Sequence, residues 1–76
     1  MKELLETIAR ALVDIPEEVT VHEVEGEQSL ILELRVSRED MGKVIGKQGR
    51  IAKAIRTVVK AAAVKENKRV VVEILQ

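Results

Sequence analysis

The sequence predicts an α+β fold: a three-stranded mixed sheet with three helices packed on one face, in the order α-β-β-α-α-β. Three observations predict it. A helical apolar stripe opens the chain, two β-rich runs follow with a glycine turn between them, and a glycine-broken helical stretch leads to a last β-branched run. The chain has 76 residues, which is one small domain spanning 1–76, because a second hydrophobic core does not fit.

Leu4, Leu5, Ile8, Ala11, Leu12 and Ile15 recur at three- and four-residue steps and predict the first helix. Pro16 biases Ile15 away from helical dihedrals, so this helix is expected to end near Val13 or Asp14. Val19 to Val24 reads as a strand, and Glu25-Gly26-Glu27-Gln28 as its turn. Leu30, Leu32, Leu34 and Val36 alternate with Ile31, Glu33 and Arg35, a half-buried strand that pairs with the first as an antiparallel hairpin. Ser37 with Asp40 three residues on reads as a capping box, opening a helix from Arg38 to about Ile45. Gly46-Lys47-Gln48-Gly49 breaks it, and a longer helix runs from Arg50 to Val64. Asn67-Lys68 marks a turn before a last strand, Val70 to Leu75. The helical pair links the second strand to the third, which makes them parallel neighbours and puts the second strand in the centre.

Composition excludes several functions. With no cysteine there is no disulfide, thiolate nucleophile or cysteine metal site. His22 is the single histidine, and it reads as a surface residue of an edge strand. No apolar run reaches the roughly 20 residues of a membrane span, and the N-terminus does not read as a secretory signal. The expected location is cytoplasmic. No nucleophile–base pair or carboxylate dyad is visible, so an enzyme is not expected, and no cofactor is called for.

The formal net charge is zero, yet the charges are segregated. Residues 1–33 carry two bases against nine acids, and residues 34–76 carry eleven bases against four acids. Two explanations fit: a polyanion partner for the basic half, or two halves that neutralise each other within the fold. Arg50, Lys53, Arg56 and Lys60 follow three- and four-residue steps on one helix face, with Ile51, Ile55, Val58 and Ala62 on the other. Four bases in one stripe repel each other, whereas an ordinary solvated face mixes signs.

The segment Val44-Ile45-Gly46-Lys47-Gln48-Gly49-Arg50-Ile51 carries the chemistry. Two glycines three apart allow a tight turn and close approach of another backbone. The turn ends at a helix N-terminus, where free N–H groups and the positive dipole end favour an anion. Lys47 and Arg50 add full charges. It is not a Walker A loop, because Gln48 follows Gly46-Lys47 and no glycine stands five residues before Gly46. Gly42 and Gly46 form a Gly-x-x-x-Gly in a helix too short and too charged for a membrane.

These residues resemble the KH-domain signature Val-Ile-Gly-x-x-Gly-x-x-Ile, with isoleucines here two and six residues after Gly49 instead of three. The element order is that of the type II, prokaryotic KH fold, and the whole chain is similar to the KhpA family of small bacterial single-KH-domain proteins, with Ala11 to Asp14 and Gly42 to Arg50 carrying the likeness. The resemblance implies sequence-tolerant binding of single-stranded RNA, with RNA chaperone or post-transcriptional roles tied to cell shape and cell-wall regulation. It places Gly46, Lys47, Gln48 and Gly49 on the RNA backbone, with Lys43, Arg50 and Lys53 beside them. Bases are expected in an apolar groove between the two helices and the last strand, near Ile45, Ile51 and Ala54, flanked by the Lys65-to-Arg69 turn. The absence of aromatic residues argues against stacking platforms of the RRM or OB type. The residues themselves fit single-stranded RNA and DNA alike. The resemblance also implies a homodimer, or a heterodimer with a larger KH-containing Jag-type (KhpB) protein. Ile31, Val71 and Leu75 on the outer sheet face, with Val59 and Ala63 on the helix flank, are the expected contacts. A protein-interaction adaptor is therefore the second functional reading.

Overall fold

The computed structural model describes residues 1–75. Helix α1 spans Lys2–Leu12, followed by a 3₁₀ turn at Pro16–Glu18 and strands β1 (Thr20–Glu25) and β2 (Ser29–Arg35). A 3₁₀ turn at Arg38–Asp40 enters α2 (Met41–Ile45), a second at Lys47–Gly49 enters α3 (Arg50–Val64), and β3 (Arg69–Leu75) closes the sheet. Each strand begins one residue away from its expected start, and α1 stops one or two residues early.

The sheet order is β1-β2-β3. β1 and β2 are antiparallel with Val21 opposite Leu34, and β2 and β3 are parallel with Leu32 beside Val72. The period of two decides which side faces the helices. Val21, Leu30, Leu32, Leu34, Val70 and Val72 are buried against α1 and α3, together with Leu5, Ala9, Ile55 and Val59. Ile31 and Val71 take the opposite parity, so they lie on the helix-free face, in register with Val24. The expected one-sided α+β sandwich is therefore the observed architecture.

The start of α2 differs from the expectation. Ser37 makes no side-chain capping bond, and residues 38–40 form a 3₁₀ turn instead of the first turn of a helix. Asp40 serves a distant segment. It is 1 % exposed, and its two carboxylate oxygens accept the backbone N–H groups of Asp14 (3.1 Å) and Ile15 (3.0 Å). Those amides emerge just past α1, where Pro16 prevents helix continuation. The carboxylate thus ties the end of α1 to the entry of α2.

Candidate nucleic-acid interface

The Gly46–Gly49 loop is built by backbone geometry that its two glycines allow. Gly46 has φ 76° and ψ 173°, a region open in practice only to glycine. A Cβ there would lie 2.5 Å from Ile51 Cγ1, so the Gly46 backbone is pressed against the first turn of α3. Gly49, at φ 73° and ψ 13°, is left-handed, and a Cβ there would meet open space. Gln48 also adopts a left-handed conformation, and its Oε1 accepts a hydrogen bond from Arg50 Nη2 at 3.1 Å. The turn is closed by Gly46 N–H donating to Gly42 O (2.8 Å) and Gly49 N–H to Gly46 O (3.1 Å). Lys47 and Gln48 are left exposed at its tip, beside the N-terminus of α3, whose first N–H, that of Arg50, donates back to Lys47 O. Positive backbone dipoles, the exposed Lys47 ammonium and the Arg50 guanidinium, which Gln48 holds, converge on one small surface, which suits an oxyanion such as a phosphodiester.

Helix α3 has three faces, not two. The core face is Ala52, Ile55, Val59 and Ala63. Val59 is fully buried and Ala63 nearly so, which removes both from the expected dimer flank. A second face, toward α1, carries Ile51, Ala54 and Val58, which form an apolar groove of about 490 Å³ with Leu4, Ile8 and Leu12. The third face carries Lys53, Arg56 and Lys60 along β3: Arg56 Nε donates to Val72 O at 3.2 Å, and Lys60 lines a hollow with Lys68, Arg69 and Val70. The expected groove is therefore divided. Ile51 and Ala54 open toward α1, while Lys53 lies on the β3 flank of the same helix. The reason is angular. At 100° per residue, positions 51, 54 and 58 lie well over a quarter turn from 53, 56 and 60. Ile45 is exposed at the end of α2, next to the loop. The sequence puts Arg56 and Lys60 on the basic stripe without tying them to the loop. Their stripe was the signal, and the flank facing β3 gives it meaning.

Lys43 has an intramolecular role. Its Nζ is 2.8 Å from Asp14 Oδ2 and 3.5 Å from Asp40 Oδ1. The hydrogen bond to Asp14 is the main cause that raises its pKa above the ordinary lysine value, against a smaller opposing effect of burial. Lys47, Lys53 and Lys60 form no ion pair among the described residues. The two oppositely charged halves of the chain meet at Lys43 and at the Lys68–Glu25 pair (3.9 Å), and the loop and the β3 flank of α3 stay cationic.

The chain is 81% identical over 75 residues to the RNA-binding protein KhpA of Clostridium acetobutylicum, covering 99% of this chain and all of that one. It is 79% identical over the same length, at the same coverage, to the RNA-binding protein KhpA of Clostridium perfringens. Among solved structures, Era from Aquifex aeolicus matches with a TM-score of 0.66 at 24% identity, over 96% of this chain and 28% of that one, a likeness of fold. The family model described as KhpA/KhpB, KH domain, matches residues 2–74, a span that takes in the glycine loop, all three helices and the sheet. With this loop, this element order and relatives of this identity, the chain belongs to the KhpA/KhpB KH-domain family.

Proposed function

We propose that this protein binds single-stranded RNA and grips the sugar-phosphate backbone with the Gly46-Lys47-Gln48-Gly49 loop. The observation that carries the reading is the convergence of exposed Lys47, the left-handed Gln48–Gly49 backbone and the N-terminus of α3 on one surface. The names of its relatives as RNA-binding proteins support it. From the loop the strand follows the cationic flank of α3 past Lys53 toward the Lys60, Lys68 and Arg69 hollow. In a bacterial cytoplasm such a grip serves an RNA chaperone or post-transcriptional regulator, and through it control of cell shape and the cell wall.

The test is a fluorescence-anisotropy titration of dye-labelled single-stranded RNA, since the chain has no Trp or Tyr. Lys47→Asp with Gln48→Asp is expected to weaken binding about tenfold or more at low salt, with far-ultraviolet circular dichroism unchanged. Wild-type affinity is expected to fall with salt, with a log–log slope of about −0.7 per phosphate neutralised. Unchanged affinity in the double variant would move the site away from the loop.

A second reading, an adaptor that pairs with another KH-domain chain, is favoured by the α1–α3 groove. Its lining is apolar apart from Arg50, and Val58 at 49 % and Leu12 at 37 % exposure leave it open to water. Either a second copy of this chain or the larger KH-containing Jag-type (KhpB) protein would cover it. Val58→Glu is expected to turn a wild-type dimer into a folded monomer in light scattering after size exclusion. A wild-type chain that is monomeric at about 0.1 mM, well above a micromolar Kd, would remove the homodimer form of this reading.

A further inference from the structure

On the reading that the β3 flank of α3 carries RNA, we propose that Arg56 selects the base that enters there, favouring cytosine or guanine. The bases on this helix are not equivalent. Lys53 and Lys60 are exposed, whereas Arg56 is half-buried and fixed to the sheet through its Nε–H bond to Val72 O at 3.2 Å. Val72 lies mid-way along β3, at the edge of the sheet. Arg69 N–H donates to Gln28 O, so odd-numbered residues of β3 turn their backbone toward β2. Val72 has the other parity, and its carbonyl faces the free edge, where the guanidinium meets it.

This anchor uses one of the five guanidinium N–H groups. Among the described residues no carboxylate lies within ion-pair distance of Arg56 and no other acceptor takes its terminal nitrogens. A half-buried, orientationally fixed guanidinium with unused donors is set to receive acceptors from outside the chain. The planar fork matches two adjacent acceptors. Guanine offers N7 and O6, and cytosine offers O2 and N3. Adenine sets an amino donor beside each edge acceptor, and uracil sets an N–H between its two carbonyls, so neither presents such a pair. A flexible lysine at the same place neutralises a phosphate but cannot hold the fork.

The experiment compares labelled oligouridine octamers whose two central positions are uracil, adenine, cytosine or guanine, bound to wild type and to Arg56→Lys. Wild type is expected to prefer the cytosine or the guanine octamer to the uracil and adenine ones by about tenfold. The two favoured arms show which acceptor pair is read. Arg56→Lys is expected to abolish the preference, so that its affinities for the four octamers agree within about twofold, because the charge is kept and the fork is lost. Binding without base preference in wild type overturns the inference alone. So does a preference that survives in the variant, or an equal loss on all four octamers, which marks a phosphate contact. No binding of any octamer by wild type overturns the RNA reading and this inference with it. If Arg56→Lys fails to fold, the Arg56 Nε–H resonance decides: a shift with the favoured octamer and none with oligouridine supports the assignment, and equal shifts overturn it.

Discussion

Gly46→Ala is expected to destabilise the domain by about 3 kcal/mol or more, while Gly49→Ala three residues away costs about 1 kcal/mol. Both glycines have positive φ, but their surroundings differ. At Gly46 the ψ of 173° adds a conformation that L-residues avoid. The new Cβ would also meet Ile51 Cγ1 at 2.5 Å and Ile51 Cβ at 2.8 Å. Ile51 Cβ is fixed to the first turn of α3, so relief requires the helix to move and not a rotamer change. At Gly49 the left-handed conformation is the only obstacle, and Asn there is expected to cost less than Ala. For a domain of this size the Gly46 loss amounts to a fall in Tm of roughly 12 to 24 °C, close to the whole margin of a small single core. Thermal melts followed by circular dichroism separate the cases. Ile51→Ala combined with Gly46→Ala removes Cγ1 and Cδ1 but leaves Cβ, so the pair is expected to recover only part of the loss. Equal destabilisation at the two glycines would show that close approach to Ile51 does not hold the loop.

The same residues explain what could be read from sequence. Leu30, Leu32 and Leu34 alternate without interruption, so the half-buried strand was legible; the short turn at Gly26 made the hairpin legible, and the helical link to β3 made the central position so. The glycine loop was legible because its backbone demands are local. Asp40 was not. Spaced three residues from Ser37, it satisfies a local capping rule, yet its carboxylate bonds to amides 25 and 26 positions away. A side-chain acceptor chooses between local and distant donors by tertiary geometry, which spacing does not encode. The faces of α3 failed for another reason. Apolar residues occur both at 51, 54, 58 and at 52, 55, 59, 63, so periodicity gives a broad apolar arc with no edge between its buried and open parts. What α1 and the sheet cover decides that edge. The candidate site was therefore legible at the loop and blurred along α3, where Ile51 and Ala54 belong with α1 and Arg56 belongs with β3.

Asp40→Ala is expected to lower the Tm by about 10 °C, because it strands two backbone N–H groups that the buried carboxylate satisfies, those of Asp14 and Ile15. Asp40→Asn keeps one acceptor oxygen but turns an amide donor toward the other N–H, so a smaller loss follows. Burial alone would raise the carboxyl pKa. The two backbone N–H groups, followed by Lys43, outweigh it and hold Asp40 below the usual value of 3.8. A carboxylate whose folded pKa is depressed stabilises the fold fully above its unfolded pKa, and that contribution is lost as pH falls through the folded value. Wild-type Tm should therefore be insensitive to this group near neutrality and fall below about pH 4, with Asp40→Asn showing a shallower fall over the same range. The difference between the two curves isolates this group and is the measurement. Parallel curves would show that the charge on Asp40 contributes nothing. The consequence reaches the loop proposed to grip RNA. Asp40 fixes the entry of α2, and α2 is five residues long and ends at the loop. A loosened entry has little helix to absorb the motion, so Asp40→Asn is expected to weaken RNA binding at a temperature where the variant is still folded, although Asp40 itself is buried away from the strand.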